Sequence, residues 1–321
     1  MCICKVAPYK MKKIFFFLVI LFFMLTVFVW QAIYLPKDSI LSEKKLFSIE
    51  RGQNLFQIAE NLEKEGLIKN RFFFNFYVLA KKSHKKLQAG KYFLSPSMSV
   101  AEIAQKIISG DVAKIVVTIP EGFTVKQIEE RIGLKLPGEN LEGFLFPDTY
   151  EFPIEVSGEE VVRRMRENFE KKLNTKIPQL GQSPKEAAIQ QGKSILEIIT
   201  MASLIEKEVK TFEDKKLVSG ILWKRLKAGM PLQVDATISY ITGKKTTKIS
   251  IEETQIDSPY NTYRYLGLPP GPICNPGLES ILAALFPQES EYWYYLSTPD
   301  GKTIFSKTLE EHNFFKAKYL K

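Results

Sequence analysis

The first hydrophobic run of the chain covers residues 14–35 and contains no charged side chain. About 20 consecutive apolar residues in a helix span a bilayer, so the run predicts a transmembrane anchor. Four lysines precede the run, and positively charged flanks stay on the cytoplasmic side. We therefore expect residues 1–13 to form a cytoplasmic tail of a single-pass protein of the cytoplasmic membrane, with the rest periplasmic or extracytoplasmic. A cleaved signal peptide is the alternative, but the run is long and lacks a small-x-small cleavage site.

Three segments after the anchor repeat one pattern, a short strand, a turn and an amphipathic helix. The segments are residues 47–62, 92–107 and 117–132, and the residues predicted to cap their helices are Asn54, Ser99 and Thr124. A unit this small cannot bury its own apolar face, so the copies are expected to pack together or against their neighbours.

The first repeat resembles LysM, a small strand–helix module that binds N-acetylglucosamine polymers. Gly52, Leu55, Ile58 and Ala59 carry the likeness. Two roles stay open for residues 45–132, the LysM-like region: saccharide binding, or a structural spacer.

The remaining chain, residues 133–321, mixes predicted helices, strands and loops without regular alternation, which favours an α+β catalytic domain. Helical patterns are predicted at 157–173, 195–209 and 215–227, short strands at 235–241 and 292–296, and loops at 133–156 and 174–192.

The helix predicted at 195–209 is apolar almost all round, which is typical of a buried helix. Glu208 follows Met201, Leu204 and Ile205 by seven, four and three residues, so it should project from the apolar side. A carboxyl group in apolar surroundings resists ionisation, and its pKa rises toward the value that a general acid needs. Glu208 is therefore the best catalytic candidate.

Composition excludes several other chemistries. The chain has two histidines, and Cys274 is the single cysteine beyond the anchor. A metal site, a Cys–His pair or a Ser–His pair is therefore not expected. No metal or other cofactor is predicted.

The net charge of +9 is unevenly distributed along the chain. Residues 69–91 hold seven Lys and Arg residues and no acidic residue, and aromatic residues are interleaved with the basic ones. Such interleaving occurs in nucleic-acid-binding proteins, but an exported domain seldom meets nucleic acid, so none is expected as a partner. An outer membrane leaflet or an anionic wall polymer suits the stretch better. An amphipathic helix with a solvated lysine face is the alternative.

Two further segments carry polar and aromatic side chains of the kind found in sugar-binding sites. In residues 232–237, polar residues occupy alternate positions, which would place them on one face of an extended segment. A second segment, residues 258–263, leads into a Gly- and Pro-rich loop at 267–277. The predicted substrate-binding residues are Gln233, Asp235, Thr237, Tyr260, Asn261 and Tyr263. Hydrogen bonds that stabilise the loops are the alternative role for Gln233, Asp235 and Asn261.

Five segments of the chain resemble, in the same order, segments of the MltG family, the YceG-like endolytic murein transglycosylases. These segments are residues 143–150, 202–208, 232–237, 260–263 and 267–277. Val234, Ala236 and Cys274 depart from residues usual in that family. The resemblance implies cleavage of the bond between N-acetylmuramic acid and N-acetylglucosamine within nascent glycan strands. It also implies that no water is consumed and that 1,6-anhydro-muramyl ends remain.

The resemblance assigns the catalytic position to Glu208. Glu206, about 200° away on the helix, is either a supporting or alternative acid or the partner of a nearby Lys or Arg. One carboxyl suffices for this reaction, because the C6 hydroxyl of the sugar is a tethered nucleophile. A hydrolase usually needs two carboxyls.

Peptidoglycan strands are the implied substrate and peptidoglycan synthases the implied partners. A non-catalytic, membrane-anchored, peptidoglycan-binding scaffold for wall synthases is the alternative function, and an ordinary glycan hydrolase is a third.

Overall fold

The computed structural model describes residues 8–244 and 249–320. Contacts divide the chain into two compact units, one made of Met1–Ile115 with Glu151–Glu155 and the other of Val116–Tyr150 with Val156–Lys321. The described ranges contain twelve α-helices and three two-stranded sheets, which confirms the predicted α+β class.

The first helix, α1 (Pro8–Tyr34), contains the predicted anchor. Residues Lys12–Tyr34 are long and apolar enough to cross a membrane, and their hydrophobic side chains are mostly exposed. A helix with an uncharged apolar surface of this length satisfies its backbone internally, which is what the hydrocarbon of a bilayer requires.

The first unit then contains the first two strand–helix repeats. Its elements are β1 (Lys45–Ile49), α2 (Leu55–Lys64), α3 (Arg71–Ala80), β2 (Gly90–Leu94) and α4 (Val100–Ser109). Strands β1 and β2 pair antiparallel with Phe47 opposite Tyr92, and both rings are buried. The inner faces of the three helices complete the core, so the first two repeats do pack together.

All three predicted N-caps are confirmed. Asn54, Ser99 and Thr124 each accept a backbone hydrogen bond from the third residue of the following helix, and that residue returns a bond to the cap. This capping box satisfies donors that a helix leaves unpaired at its first turn. The third repeat consists of β3 (Lys114–Thr118), which pairs with β4 (Thr149–Pro153), and α5 (Val125–Ile132). Its helix belongs to the second unit, so the unit boundary precedes residue 132.

The second unit is built around α8 (Ile195–Glu208), in which every residue from Ile198 to Ile205 is buried. Other elements surround it: α6 (Gly158–Asn174), α7 (Pro184–Gln190), α9 (Phe212–Lys227), α10 (Asp235–Thr242), a 3₁₀ turn at Glu253–Gln255, α11 (Leu278–Leu285), β5 (Tyr294–Ser297), β6 (Thr303–Ser306) and α12 (Leu309–Tyr319). The helices predicted at 157–173, 195–209 and 215–227 and the strand predicted at 292–296 are thereby confirmed.

Three predictions are wrong in whole or in part. The loop expected at 133–156 contains the strand β4, which pairs with β3. The strand expected at 235–241 is the helix α10, even though β-branched residues fill it. An acidic residue in its first turn, Gly243 in the left-handed conformation after its last turn and burial of Ile238 against the core outweigh that preference. The loop expected at 174–192 contains α7, which begins with a capping box at Ser183 and with Pro184 in its first turn.

Candidate active site

Glu208 is the last residue of α8, and the helix holds it firmly. Met201, Leu204 and Ile205 beneath it are fully buried, as the sequence spacing predicted. The Ser297 hydroxyl of β5 donates to the Glu208 carbonyl oxygen at 3.2 Å. The backbone of this glutamate is therefore fixed by the core on one side and by β5 on another.

Glu208 is a half-buried residue, and its carboxyl group lies at the N-terminus of α10. It accepts hydrogen bonds from the Tyr295 hydroxyl and from the Ala236 N–H. The N-cap of α10, Val234, has no side-chain acceptor, so Glu208 serves as an acceptor for an unpaired donor of that helix. Burial, and next the negative charge of Asp235, raise the pKa of Glu208 to about 7, against the opposing effect of its two hydrogen bonds.

Asp235, the first residue of α10, has an exposed side chain that accepts a hydrogen bond from the Tyr263 hydroxyl. Burial and this bond raise the pKa of Tyr263 well above its usual value. Gln233 is also exposed and has a φ of 52°, a conformation that reverses the chain direction just before the helix. The structure thus brings Asp235 and Tyr263 close to Glu208, and Gln233 lies two residues before Asp235.

Thr237 and Asn261 are fully buried. The Thr237 hydroxyl donates to the Val234 carbonyl at 2.7 Å. The Asn261 amide donates to the Thr254 and Ile256 carbonyls at 3.0 and 2.7 Å, and its oxygen accepts from a backbone N–H at 3.0 Å. Thr237 therefore does not share a face with Gln233 and Asp235, because α10 turns it inward. The contacts of Asn261 are those of the loop-stabilising alternative.

Tyr260 lies beside α10, one helical turn beyond Ala236. Its ring contacts that of Tyr240 at 5.1 Å between centroids, and Tyr240 is four residues after Ala236, hence on the same side of α10. Burial and the charge of Glu142 raise the pKa of Tyr240 to about 12. The two rings form an aromatic patch beside the helix that touches Glu208.

Glu206 makes its contacts elsewhere. Its carboxylate accepts from the Gly277 N–H at 3.1 Å and the Ser280 hydroxyl at 2.6 Å, and lies 3.6 Å from the Lys215 ammonium. A Cβ on Gly277 would lie 1.9 Å from a carboxylate oxygen of Glu121, so a larger residue there would require the Glu121 side chain to move. Glu206 is therefore the partner of a buried lysine, one of the two roles that the sequence left open.

Sequence reasoning missed Tyr295 and Arg225. Arg225, which is 5% exposed, donates to the Trp293 carbonyl and to the Leu232 carbonyl, both at 2.9 Å. It thereby joins β5, which carries Tyr295, to the segment that leads into Asp235. The predicted strand at 292–296 located Tyr295 in the chain, but no pattern in the sequence placed it beside α8.

Glu142 was missed as well. Its carboxyl accepts from the Val125 N–H at 3.2 Å and from the Asn275 amide at 3.1 Å, and burial raises its pKa to about 7. Asn275 in turn accepts from the Leu145 N–H at 2.8 Å. The Ile273 N–H donates to the Ser203 hydroxyl of α8 at 3.0 Å. These bonds join residues 142–145, the 267–277 loop and α8, three of the segments on which the family resemblance rests.

Comparison with known proteins agrees with this arrangement. The model of the YceG-like family matches residues 47–318, and the chain belongs to this family, which confirms the predicted resemblance. The chain is 33% identical over 311 residues to the endolytic murein transglycosylase of Bacillus subtilis, covering 85% of this chain and 84% of that protein. It is 30% identical over 335 residues to the protein of the same name from Streptococcus pneumoniae D39, covering 87% of this chain and 59% of the longer relative.

The fold is similar to a solved structure. The crystal structure of a YceG-like protein from Listeria monocytogenes superimposes with a TM-score of 0.56 at 34% identity, covering 85% of this chain and 99% of that one.

Proposed function

We propose that the protein is a membrane-anchored, endolytic peptidoglycan lytic transglycosylase. It would cleave the bond between N-acetylmuramic acid and N-acetylglucosamine in nascent glycan strands, leave 1,6-anhydro ends and so end strand elongation. The observation that carries the proposal is the carboxyl group of Glu208, which lies at the end of the buried helix α8 and has a pKa that burial raises to about 7. The names of its relatives support the substrate class.

Glu208 would act first as an acid and then as a base. A group with a pKa near neutrality is present in both protonation states at neutral pH, which suits proton transfer in both directions. The protonated carboxyl donates to the glycosidic oxygen as the bond to the muramyl C1 breaks. The resulting carboxylate accepts the proton of the C6 hydroxyl as its oxygen bonds to C1. No water enters, because the nucleophile belongs to the reacting sugar.

The residues around Glu208 would have distinct roles. The Tyr295 hydroxyl and the Ala236 N–H orient the carboxyl through their hydrogen bonds. The Asp235 carboxylate faces the same region, where its charge would stabilise positive charge that develops at C1. The residues proposed to contact the saccharide are the exposed Gln233 and Asp235 and the half-buried Tyr260 and Tyr263. We assign Thr237 and Asn261 to the support of this surface and Glu206 to the Lys215 ion pair.

The first unit would hold the enzyme at its substrate. Residues 14–35 anchor the chain in the cytoplasmic membrane with residues 1–13 inside the cell. The order β1–α2–α3–β2 with an antiparallel strand pair supports a LysM-like module, and we propose that it contacts glycan. Peptidoglycan synthases, which make nascent strands at the membrane, are the partners that this position favours.

Mass spectrometry of uncrosslinked nascent glycan, after incubation with the full-length protein in detergent, tests the proposal. Internal fragments with anhydro ends, one water lighter than hydrolysis products, are expected, and the Glu208→Gln protein should produce none. Reducing ends would instead identify a hydrolase, with Asp235 as the second carboxyl. Glycan that is bound in a sedimentation assay but left uncut would favour the scaffold.

A further inference from the structure

The helix α3 exposes an unusual amount of apolar surface for a helix in water. Phe72, Phe76 and Leu79 form one stripe along it and are 62%, 47% and 48% exposed. Phe74 and Val78 form the opposite stripe, which is buried in the core of the first unit. Three large side chains on one exposed stripe of a ten-residue helix are typical of a surface that meets another apolar phase.

Two ring contacts connect α3 to the membrane helix α1. Phe73 contacts Phe28 at 5.8 Å and Tyr77 contacts Tyr34 at 6.3 Å between ring centroids. Both helices belong to the first unit. The position of α3 relative to the bilayer therefore follows from the depth of Phe28 and Tyr34 in the proposed anchor.

The outer end of α1 has the residues that mark a membrane–water interface. Trp30 and Tyr34 stack at 5.7 Å, and amphipathic rings of this kind concentrate at the level of the headgroups. Phe28 lies two residues deeper than Trp30, about 3 Å along the helix axis. Phe73, in contact with Phe28, therefore lies at the boundary between headgroups and acyl chains.

The exposed stripe lies close to the stripe that faces α1. Successive residues of a helix are about 100° apart, so Phe72 adjoins Phe73 and Phe76 adjoins Tyr77 around the axis. A bilayer that surrounds the outer end of α1 would therefore reach the exposed stripe as well. Exposed basic residues lie at both ends of α3, among them Lys69, Arg71, Lys81 and Lys82. Arg71 also lies 3.7 Å from Glu63.

A cavity of about 320 Å³ lies between α1 and the rest of the first unit. Phe28, Leu35, Leu67 and Phe73 line it with apolar surface, and Lys69 adds a positive charge. Its walls include the same ring pair that sets the depth of α3. An acyl chain beneath an anionic headgroup is the chemistry that such a lining fits.

We propose that α3 is a second membrane contact of the protein, lying in the outer leaflet with Phe72, Phe76 and Leu79 toward the acyl chains and its basic flanks toward anionic headgroups. The inference rests on the proposed membrane anchor. A helix in this position buries its apolar face about 5–10 Å below the headgroups. Together with α1, it would fix the orientation of the first unit relative to the membrane, which a single helix alone leaves free to rotate.

Spin-label accessibility in lipid nanodiscs tests the inference. The full-length protein, with Cys2, Cys4 and Cys274 replaced by serine or alanine, receives one cysteine label at a time. Phe72→Cys is the test position, and Phe76→Cys repeats it one turn further. Phe56→Cys is the matched control, because Phe56 on α2 is 63% exposed but has no contact with α1 among the described ring pairs. Circular dichroism confirms that each labelled protein is folded.

In nanodiscs that contain phosphatidylglycerol, we expect the labels at 72 and 76 to be relaxed by oxygen and protected from an aqueous nickel reagent, and the label at 56 to show the reverse. Equal aqueous exposure at 56, 72 and 76 would overturn the inference. A label at Leu21→Cys, in the middle of α1, separates the two proposals. If it lies in lipid while 72 and 76 lie in water, the anchor stands and the second contact fails, whereas an aqueous label at 21 contradicts the anchor itself.

Lipid charge provides an independent result. Replacing phosphatidylglycerol by phosphatidylcholine should move the labels at 72 and 76 toward water, because the basic flanks lose their partners. Unchanged accessibility would overturn the proposed role of anionic headgroups.

Discussion

Glu206 and Glu208, two residues apart on α8, have carboxyl groups that contact different elements. Glu206 accepts from Gly277 and Ser280 and pairs with Lys215. Glu208 accepts from Tyr295 and Ala236. The same turn of the helix thus carries a carboxylate that pairs with a buried lysine and a carboxyl group whose pKa is raised by burial. Substitution of Glu206 should therefore lower stability and leave the chemistry intact, whereas substitution of Glu208 should remove activity and leave the fold intact.

We expect Glu208→Gln to abolish cleavage while leaving the fold intact. The loss should be about a thousandfold or more, since general acid–base catalysis contributes on that order. The amide still accepts the hydrogen bonds of Tyr295 and Ala236. Cleavage rates on nascent glycan measure the loss, and Glu206→Gln should retain activity in proportion to the protein that remains folded. Full activity of Glu208→Gln would contradict the assignment.

The same variant should alter the pH dependence of stability. The pKa of Glu208 rises from 4.5 to about 7 on folding, so the folded state binds this proton more tightly than the unfolded state. The contribution of Glu208 to the free energy of unfolding is complete below pH 4.5 and declines as the pH rises to about 7. Glu208→Gln lacks this decline, and urea unfolding should show it gaining stability relative to wild type between pH 4.5 and 7. A constant difference would refute the raised pKa.

Lys215→Met should destabilise the second unit by about 3 kcal/mol, because it leaves the Glu206 carboxylate buried without its cation. Lys215 is 3% exposed, and its ammonium lies 3.6 Å from Glu206 and 3.9 Å from Glu279. Urea denaturation measures the change. The double variant Glu206→Gln/Lys215→Met should be less destabilised than the sum of the two single variants, and strict additivity would show that the pair does not interact.

Tyr295→Phe should move the alkaline limb of the pH–rate profile upward. The Tyr295 hydroxyl stabilises the Glu208 carboxylate, so its removal raises the pKa of Glu208 and keeps the acid form to higher pH. A hydrogen bond to a charged group accounts for about one pH unit. Tyr294→Phe is the matched control on the same strand: Tyr294 contacts His312 and Arg225 instead, and its profile should not move. A downward shift in Tyr295→Phe would exclude this role.

Asp235→Asn should move the alkaline limb in the opposite direction. The negative charge of Asp235 raises the pKa of Glu208, so a neutral amide lowers it and depletes the acid form at neutral pH. The pH–rate profile again gives the measurement. Tyr263→Phe removes the hydroxyl that binds Asp235 but keeps both carboxyl charges, and it should leave the limb in place. If both variants shift the limb equally, the hydrogen bond rather than the charge controls Glu208.

Local signals in the sequence predicted much of the scaffold. The caps at Asn54, Ser99 and Thr124 lie within three residues of the groups they bind, and the stack under Glu208 follows from helical spacing alone. The strand predicted at 235–241 failed because β-branched residues favour strands locally, whereas packing of Ile238 and Thr237 against the core decides the outcome in α10. Propensity is a weak prior wherever tertiary burial opposes it.

The sequence by itself determined the apolar anchor, the order of the strand–helix repeats, the buried helix and the family of the chain. Only the tertiary structure decided the surroundings of Glu208. Tyr295 is 87 residues further along the chain, and Asp235 reaches the site from another helix. Separations of that length are closed by folding of the core and leave no periodic pattern in the sequence. The charges and hydrogen bonds that set the pKa of Glu208 are therefore properties of the folded protein.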